Sequence, residues 1–91
     1  LMTLASYYEE GINVEQDDKK AFEYYEKAAL QGNDVACNCV GLLYQDGIGV
    51  EKDYVKAAKY FMMASQYGNI SANNNLGYLY LNGYRVKKLV Q

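Results

Sequence analysis

The sequence contains no histidine. Histidine changes charge near neutral pH, so its absence removes the usual general base and the commonest metal ligand. Cysteine is scarce: Cys37 and Cys39 stand two residues apart, with no second pair. That spacing argues against a zinc site. On a helix, residues two apart point to different sides, so these thiols are not expected to bond to each other. Two unpaired thiols fit a reducing compartment and lean towards a cytoplasmic location. None of the three serines, Ser6, Ser65 and Ser71, is followed three residues later by lysine. The Ser-x-x-Lys signature of penicillin-binding enzymes is therefore missing. These gaps exclude the familiar catalytic constellations, and neither enzymatic activity nor a cofactor or metal is expected.

Charge of one sign is also lacking. Nine basic and eleven acidic residues are interspersed and leave a net charge of −2. No basic block offers a footprint for nucleic acid or an anionic membrane. No apolar run approaches the ~18 residues of a membrane span, and no secretory leader is visible. Proline and tryptophan are absent too, but there are eleven tyrosines. Tyrosine has a large ring with a polar tip and suits half-buried helix faces. Of the 91 residues, 51% are apolar, enough for a core. A chain this short nevertheless buries only a modest fraction of its surface.

What is present is repetition. Glycine recurs at Gly11, Gly47 and Gly83, tyrosine at Tyr8, Tyr44 and Tyr80, valine at Val14, Val50 and Val86. Each step is 36 residues, and the same shift pairs Gly32 with Gly68 and Gly41 with Gly77. Sliding the chain by 36 gives roughly 20 identities in 55 overlapping positions, several times chance for this composition. Periods of this length mark stacked arrays.

Each period reads as two helices. A B helix runs from the cap at Asp53 to Gly68, with Ala57, Tyr60, Phe61, Ala64 and Ser65 at helical spacing. Its earlier copy runs from Asp17 or Asp18 to Gly32, with Ala21, Tyr24, Tyr25 and Ala28. Asn33 and Asn69 cap the A helices that follow, over roughly 34–46 and 70–82. Ala36, Val40, Leu43 and Tyr44 line one side of the first, and Ala72, Leu76, Leu79 and Tyr80 line its copy. A truncated first copy spans about 1–10. Gly41 and Gly77 interrupt the A helices at a cost of ~1 kcal/mol each relative to alanine. Close approach of a neighbouring helix is the expected reason at both. The stretch "DGIGVEKD" then joins A to B: Gly47 ends one helix, Val50 turns inward and Asp53 starts the next. Gly49 has counterparts in Asn13 and Arg85, and a phosphate loop would need a longer glycine pattern with a Lys-Ser/Thr ending. The fold class expected is all-α, a solenoid of about two and a half helix-pair repeats.

The periodic pattern "A..N..G..Y..G...V.KD...AA.Y...A...GN", fitted nearly throughout by residues 36–69, resembles the Sel-1-like repeat (SLR) family. These are relatives of tetratricopeptide repeats with a longer loop between the helices. The resemblance covers almost the whole chain, as partial repeat 1–32, full repeat 33–68 and partial repeat 69–91, and suggests an excerpt of a longer array. It implies a right-handed α-α superhelix that acts as an adaptor or scaffold in macromolecular assemblies. Members work in the cytosol, the endoplasmic reticulum and bacterial envelopes. One branch carries a disulfide within each repeat and is reported to bind penicillin. The paired cysteines are missing here, which argues against a hydrolase of that branch. Leu89 replaces the capping aspartate in the third copy, and Val86, Leu89 and Val90 have the spacing of one turn that could lid the end.

In such arrays the A helices line the concave face. The A-helix positions not required for packing are Asn38, Leu42 and Gln45, repeated as Asn74, Tyr78 and Leu81, with Ser6 and Glu9 extending the stripe. Asparagine amides can hydrogen-bond an extended peptide, and the leucines and tyrosine offer apolar contact. A carboxylate clamp of the tetratricopeptide kind would need cations on the A helices, and the complete one has none. Acid pairs such as Asp17/Asp18 and Glu51/Asp53 fall at helix ends, as caps or solvated charge. Asn69-Ile-Ser71 matches a glycosylation acceptor, but Asn69 repeats the capping position of Asn33. The expected function is a protein-interaction module presenting a concave partner-binding surface. The alternative is a structural segment that self-associates through its array ends, where Leu79 and Tyr80 need cover.

Overall fold

The computed structural model describes residues 17–82 together with Ala5 and Glu9. Among these are four complete helices and no strand: α1 (Asp18–Leu30), α2 (Asp34–Asp46), α3 (Tyr54–Gln66) and α4 (Ile70–Leu81). α1 and α3 are the B helices of the repeat, and α2 and α4 are the A helices. Ala5 and Glu9 are helical as well. Ser6, Gly11, Gly83 and the turn expected at Val86, Leu89 and Val90 lie outside the described residues.

Each helix begins where a side chain can satisfy a backbone N–H that has no intrahelical acceptor. Asp17 accepts from the Lys20 amide at 3.1 Å and Asp53 from the Lys56 amide at 3.0 Å. Asn33 accepts from Ala36 at 2.9 Å and Asn69 from Ala72 at 3.0 Å. The B helices end alike. The Asn33 N–H bonds the Ala28 carbonyl and the Gly32 N–H bonds that of Ala29, matched by Asn69 to Ala64 and Gly68 to Ser65. This Schellman closure needs a positive φ, and Gly32 and Gly68 supply it at 90° and 95°. Asn33 and Asn69 thus close one helix with the backbone and open the next with the side chain. The B-to-A turn is three residues long in both copies, 31–33 and 67–69, and its angle is set twice by the same chemistry.

The A-to-B loop is held differently. α2 ends at Gly47, and the chain folds back until the Asp53 N–H reaches the Tyr44 carbonyl at 2.9 Å. Gly49 takes φ 73°, and a Cβ built on it would overlap the carbonyl of Asp18. The loop of one repeat therefore rests on the first turn of the preceding B helix. The second glycine of "DGIG" serves that close approach.

The core is made of small residues and a few large ones. Ala36, Ala57, Ala64 and Ala72 are fully buried, and Phe61, Leu79 and Val40 are the largest apolar side chains with no exposure. Phe61 of α3 lies over Gly41 of α2, where a Cβ would run into its ring. Here the mid-helix glycine does admit a neighbouring helix. At Gly77 it does not: among the described residues nothing lies within 4 Å of a Cβ built there. The B helix that would cross α4 at this point is not among α1 to α4. A second expectation is corrected at Leu79, which is completely buried rather than in need of cover. Tyr80 is 37% exposed. Phe22, Ala29 and Ala58 are buried although they lie off the expected stripes. Helices in an array have neighbours on more than one side, so the buried arc is wider than a single seam.

Candidate functional site

α2 and α4, the A helices of successive repeats, touch each other directly. In arrays of helix pairs the A helices are the ones expected to line the inner face. Two side-chain bonds tie them together. Asn69 Nδ2 donates to Asp34 Oδ2 at 3.1 Å, and Asn75 Nδ2 donates to Asn38 Oδ1 at 2.8 Å. On the B side the Tyr60 hydroxyl donates to Glu26 Oε2 at 3.4 Å.

The six stripe residues fall into two halves. Asn38, Leu42 and Gln45 on α2 are half-buried. Leu42 packs against the core, Asn38 is engaged by Asn75, and Gln45 holds its Oε1 buried without a hydrogen-bond partner. These positions were expected to be spare; they are partly covered because α2 is an inner helix of the array. On α4 the counterparts are open: Asn74 is exposed, Tyr78 is 50% exposed and Leu81 is 89% exposed. Asn82 Nδ2 donates to the Tyr78 carbonyl at 2.8 Å and fastens the end of α4. Glu9 accepts from the Tyr25 hydroxyl at 3.2 Å, so it serves the B-helix face as well. Ser6 lies outside the described residues.

Neither α2 nor α4 carries a lysine or arginine; the acids Asp34 and Asp46 mark the ends of α2. The inner face is thus amide and apolar in character. Asn75 is the member that sequence reasoning missed. The repeat equates Asn38 with Asn74, but adjacent A helices meet one residue out of that register. The only local signal was the Asn-Asn-Asn run at 73–75.

Between the helix layers Tyr44 stacks on Tyr60 with ring centroids 5.8 Å apart, and Phe22 meets Tyr44 edge-on at 5.2 Å. A cleft of about 370 Å³ opens beside Tyr44, lined also by Val50, Glu51, Lys52, Asp53 and Lys56. Its two acids and two lysines balance. Burial raises the pKa of the Cys37 and Cys39 thiols, which makes both poor nucleophiles. Both thiols are free, and Cys37 is a buried core residue. Burial, then the Glu26 carboxylate, push the Tyr60 hydroxyl up to about 12. Unfolding returns it to a value near 10. Its contribution to stability is complete below that lower value and is lost as pH rises through the folded one. Urea midpoints should fall as pH rises from about 10 towards about 12, and less so in Tyr60→Phe. Equal losses in both proteins would contradict the assignment.

A row of capped helix pairs stacked in sequence defines an α-solenoid, and among the described residues no group of histidine, cysteine and acids could hold a metal ion. More particularly, the Sel1 repeat family model matches residues 3–33, 35–69 and 70–90. The chain belongs to the Sel1 repeat family, whose members are typically protein-interaction scaffolds and generally not catalytic. Among solved structures, a Sel1 repeat protein from Oxalobacter formigenes is 33% identical with a TM-score of 0.83, over 89% of this chain and 33% of that one. The protective antigen c5321 of uropathogenic Escherichia coli strains, which displays an SLR fold, is 35% identical with a TM-score of 0.86, over 90% and 18%. Cysteine rich protein B of Helicobacter pylori is 33% identical with a TM-score of 0.80, over 82% and 56%. The chain thus spans from under a fifth to just over half the length of these relatives. None of the curated proteins matches it. No helix among the described residues is long and apolar enough to cross a membrane.

Proposed function

We propose that the inner face of α2 and α4 binds a protein or peptide partner, with Asn38, Leu42, Gln45, Asn74, Tyr78 and Leu81 as the contact stripe. The supporting observation is the open half of that stripe. Tyr78 and Leu81 are exposed within one turn of each other on a helix that carries no charge. Adjacent exposed apolar side chains on a helix without charge are the mark of an interaction surface. No catalytic role is assigned to any residue. Affinity capture with the parent chain, Leu42→Arg and Tyr78→Ala tests the reading. Tyr78→Ala should melt like the parent and Leu42→Arg, which also gives up core packing, somewhat below it; at a temperature where both are folded, each should retain the partner about tenfold less well. Unchanged capture by both would remove the inner face from consideration.

The outer end of the array favours a second reading, self-association. Gly77, Met62 and Tyr80 repeat the positions of Gly41, Glu26 and Tyr44, which seat Phe61 and Tyr60. Met62 and Tyr80 are 41% and 37% exposed. A mass by light scattering that rises with concentration would support this reading.

A further inference from the structure

Resting on the inner-face reading, we infer that the amide pair Asn38–Asn75 reads the main chain of an extended peptide. A primary amide has two N–H donors and an oxygen that accepts. The single bond from Asn75 Nδ2 to Asn38 Oδ1 uses one function of each side chain. Asn38 Nδ2 and Asn75 Oδ1 make no hydrogen bond with the described residues, and both residues are half-buried. The pair therefore presents an unused amide NH2 group, on Asn38, and an unused amide oxygen, on Asn75, side by side across the seam between α2 and α4. Reversing both amides exchanges their roles and leaves the same surplus.

That surplus is the complement of a peptide backbone, which offers one C=O and one N–H per residue. A helical ligand has already spent these groups on itself. A ligand held through a carboxylate or phosphate would need a cation, and α2 and α4 have none. An extended segment keeps its backbone groups available and sends alternate side chains to one side. Leu42 follows Asn38 by four residues and Tyr78 follows Asn75 by three, a spacing that puts each beside its amide on the helix surface, where they offer apolar contact to those side chains. The ligand class is thus an uncharged, extended peptide with apolar residues in alternation, recognised chiefly by its backbone.

The test is selection from a displayed library of random peptides, followed by synthesis of the recovered sequence and of its backbone N-methylated series. Asn38→Asp keeps an oxygen facing Asn75 Nδ2 but deletes the surplus donor. It should melt like the parent and bind the peptide about tenfold more weakly. Methylation of one backbone nitrogen should weaken binding to the parent about tenfold and add little to Asn75→Ala. The inference is overturned if no peptide is recovered, if every methylated position is tolerated, or if Asn38→Asp binds like the parent. Binding that is lost in Tyr78→Ala yet indifferent to Asn38→Asp and to methylation would overturn the main-chain reading and leave the inner face intact. Indifference to all of them would overturn both.

Discussion

Phe61→Ala will lower the thermal midpoint by of order 20 °C, the largest effect expected of any single truncation in this chain. Phe61 is fully buried and its ring occupies the space above Gly41. Removing a buried phenylalanine side chain costs about 3–5 kcal/mol, part of it for the cavity left behind. A small domain has only roughly 5–15 kcal/mol in total. The surroundings cannot collapse readily, because the residue facing the ring is a glycine with nothing to swing inward. The same geometry yields a change of sign. In the parent, Gly41→Ala drives a methyl into the ring and costs about 1–3 kcal/mol, against a gain of about 1 kcal/mol in helix propensity. In the Phe61→Ala background the ring is gone, and Gly41→Ala should stabilise. Chemical denaturation of the four proteins of this cycle, in a stabilising osmolyte, measures the coupling. An identical effect of Gly41→Ala in both backgrounds would mean that the two residues do not meet.

Gly49→Ala is expected to destabilise by about 3 kcal/mol, more than alanine at either B-helix terminus. At φ 73° a Cβ meets the intrinsic penalty of left-handed backbone, and it also overlaps the Asp18 carbonyl. That obstacle is backbone, with no rotamer to yield, so the loop must lift off α1. Gly32 and Gly68 have still larger positive φ but nothing within 4 Å of a built Cβ. Alanine there should cost only the conformational penalty, about 1–2 kcal/mol. The comparison isolates the contact between repeats from local strain. Equal losses at Gly49 and Gly32 would dispose of that contact.

These effects bear on function through the spacing of the A helices. The seat of Phe61 on Gly41 and the rest of the Gly49 loop on α1 set how α3 lies against the preceding helix pair. α3 in turn carries α4, and so fixes the distance across which Asn38 and Asn75 meet. A variant that loosens either contact should weaken any ligand that spans α2 and α4, even though the altered residue touches no ligand.

Helix pairs, their ends and their repetition were legible in the amino-acid order, because each is decided within a few residues. Asp17, Asn33, Asp53 and Asn69 cap from three residues away, and a glycine at the helix end needs no distant partner. The tertiary structure alone decided the rest. It selected Asn75 over Asn74 as the mate of Asn38, crowded Gly41 but not Gly77, buried Leu79, and gave Gly49 its purpose. Repetition makes positions equivalent, but contact between repeats depends on how one helix pair is offset and tilted against the next. That offset is a property of packed surfaces, which a local pattern does not contain.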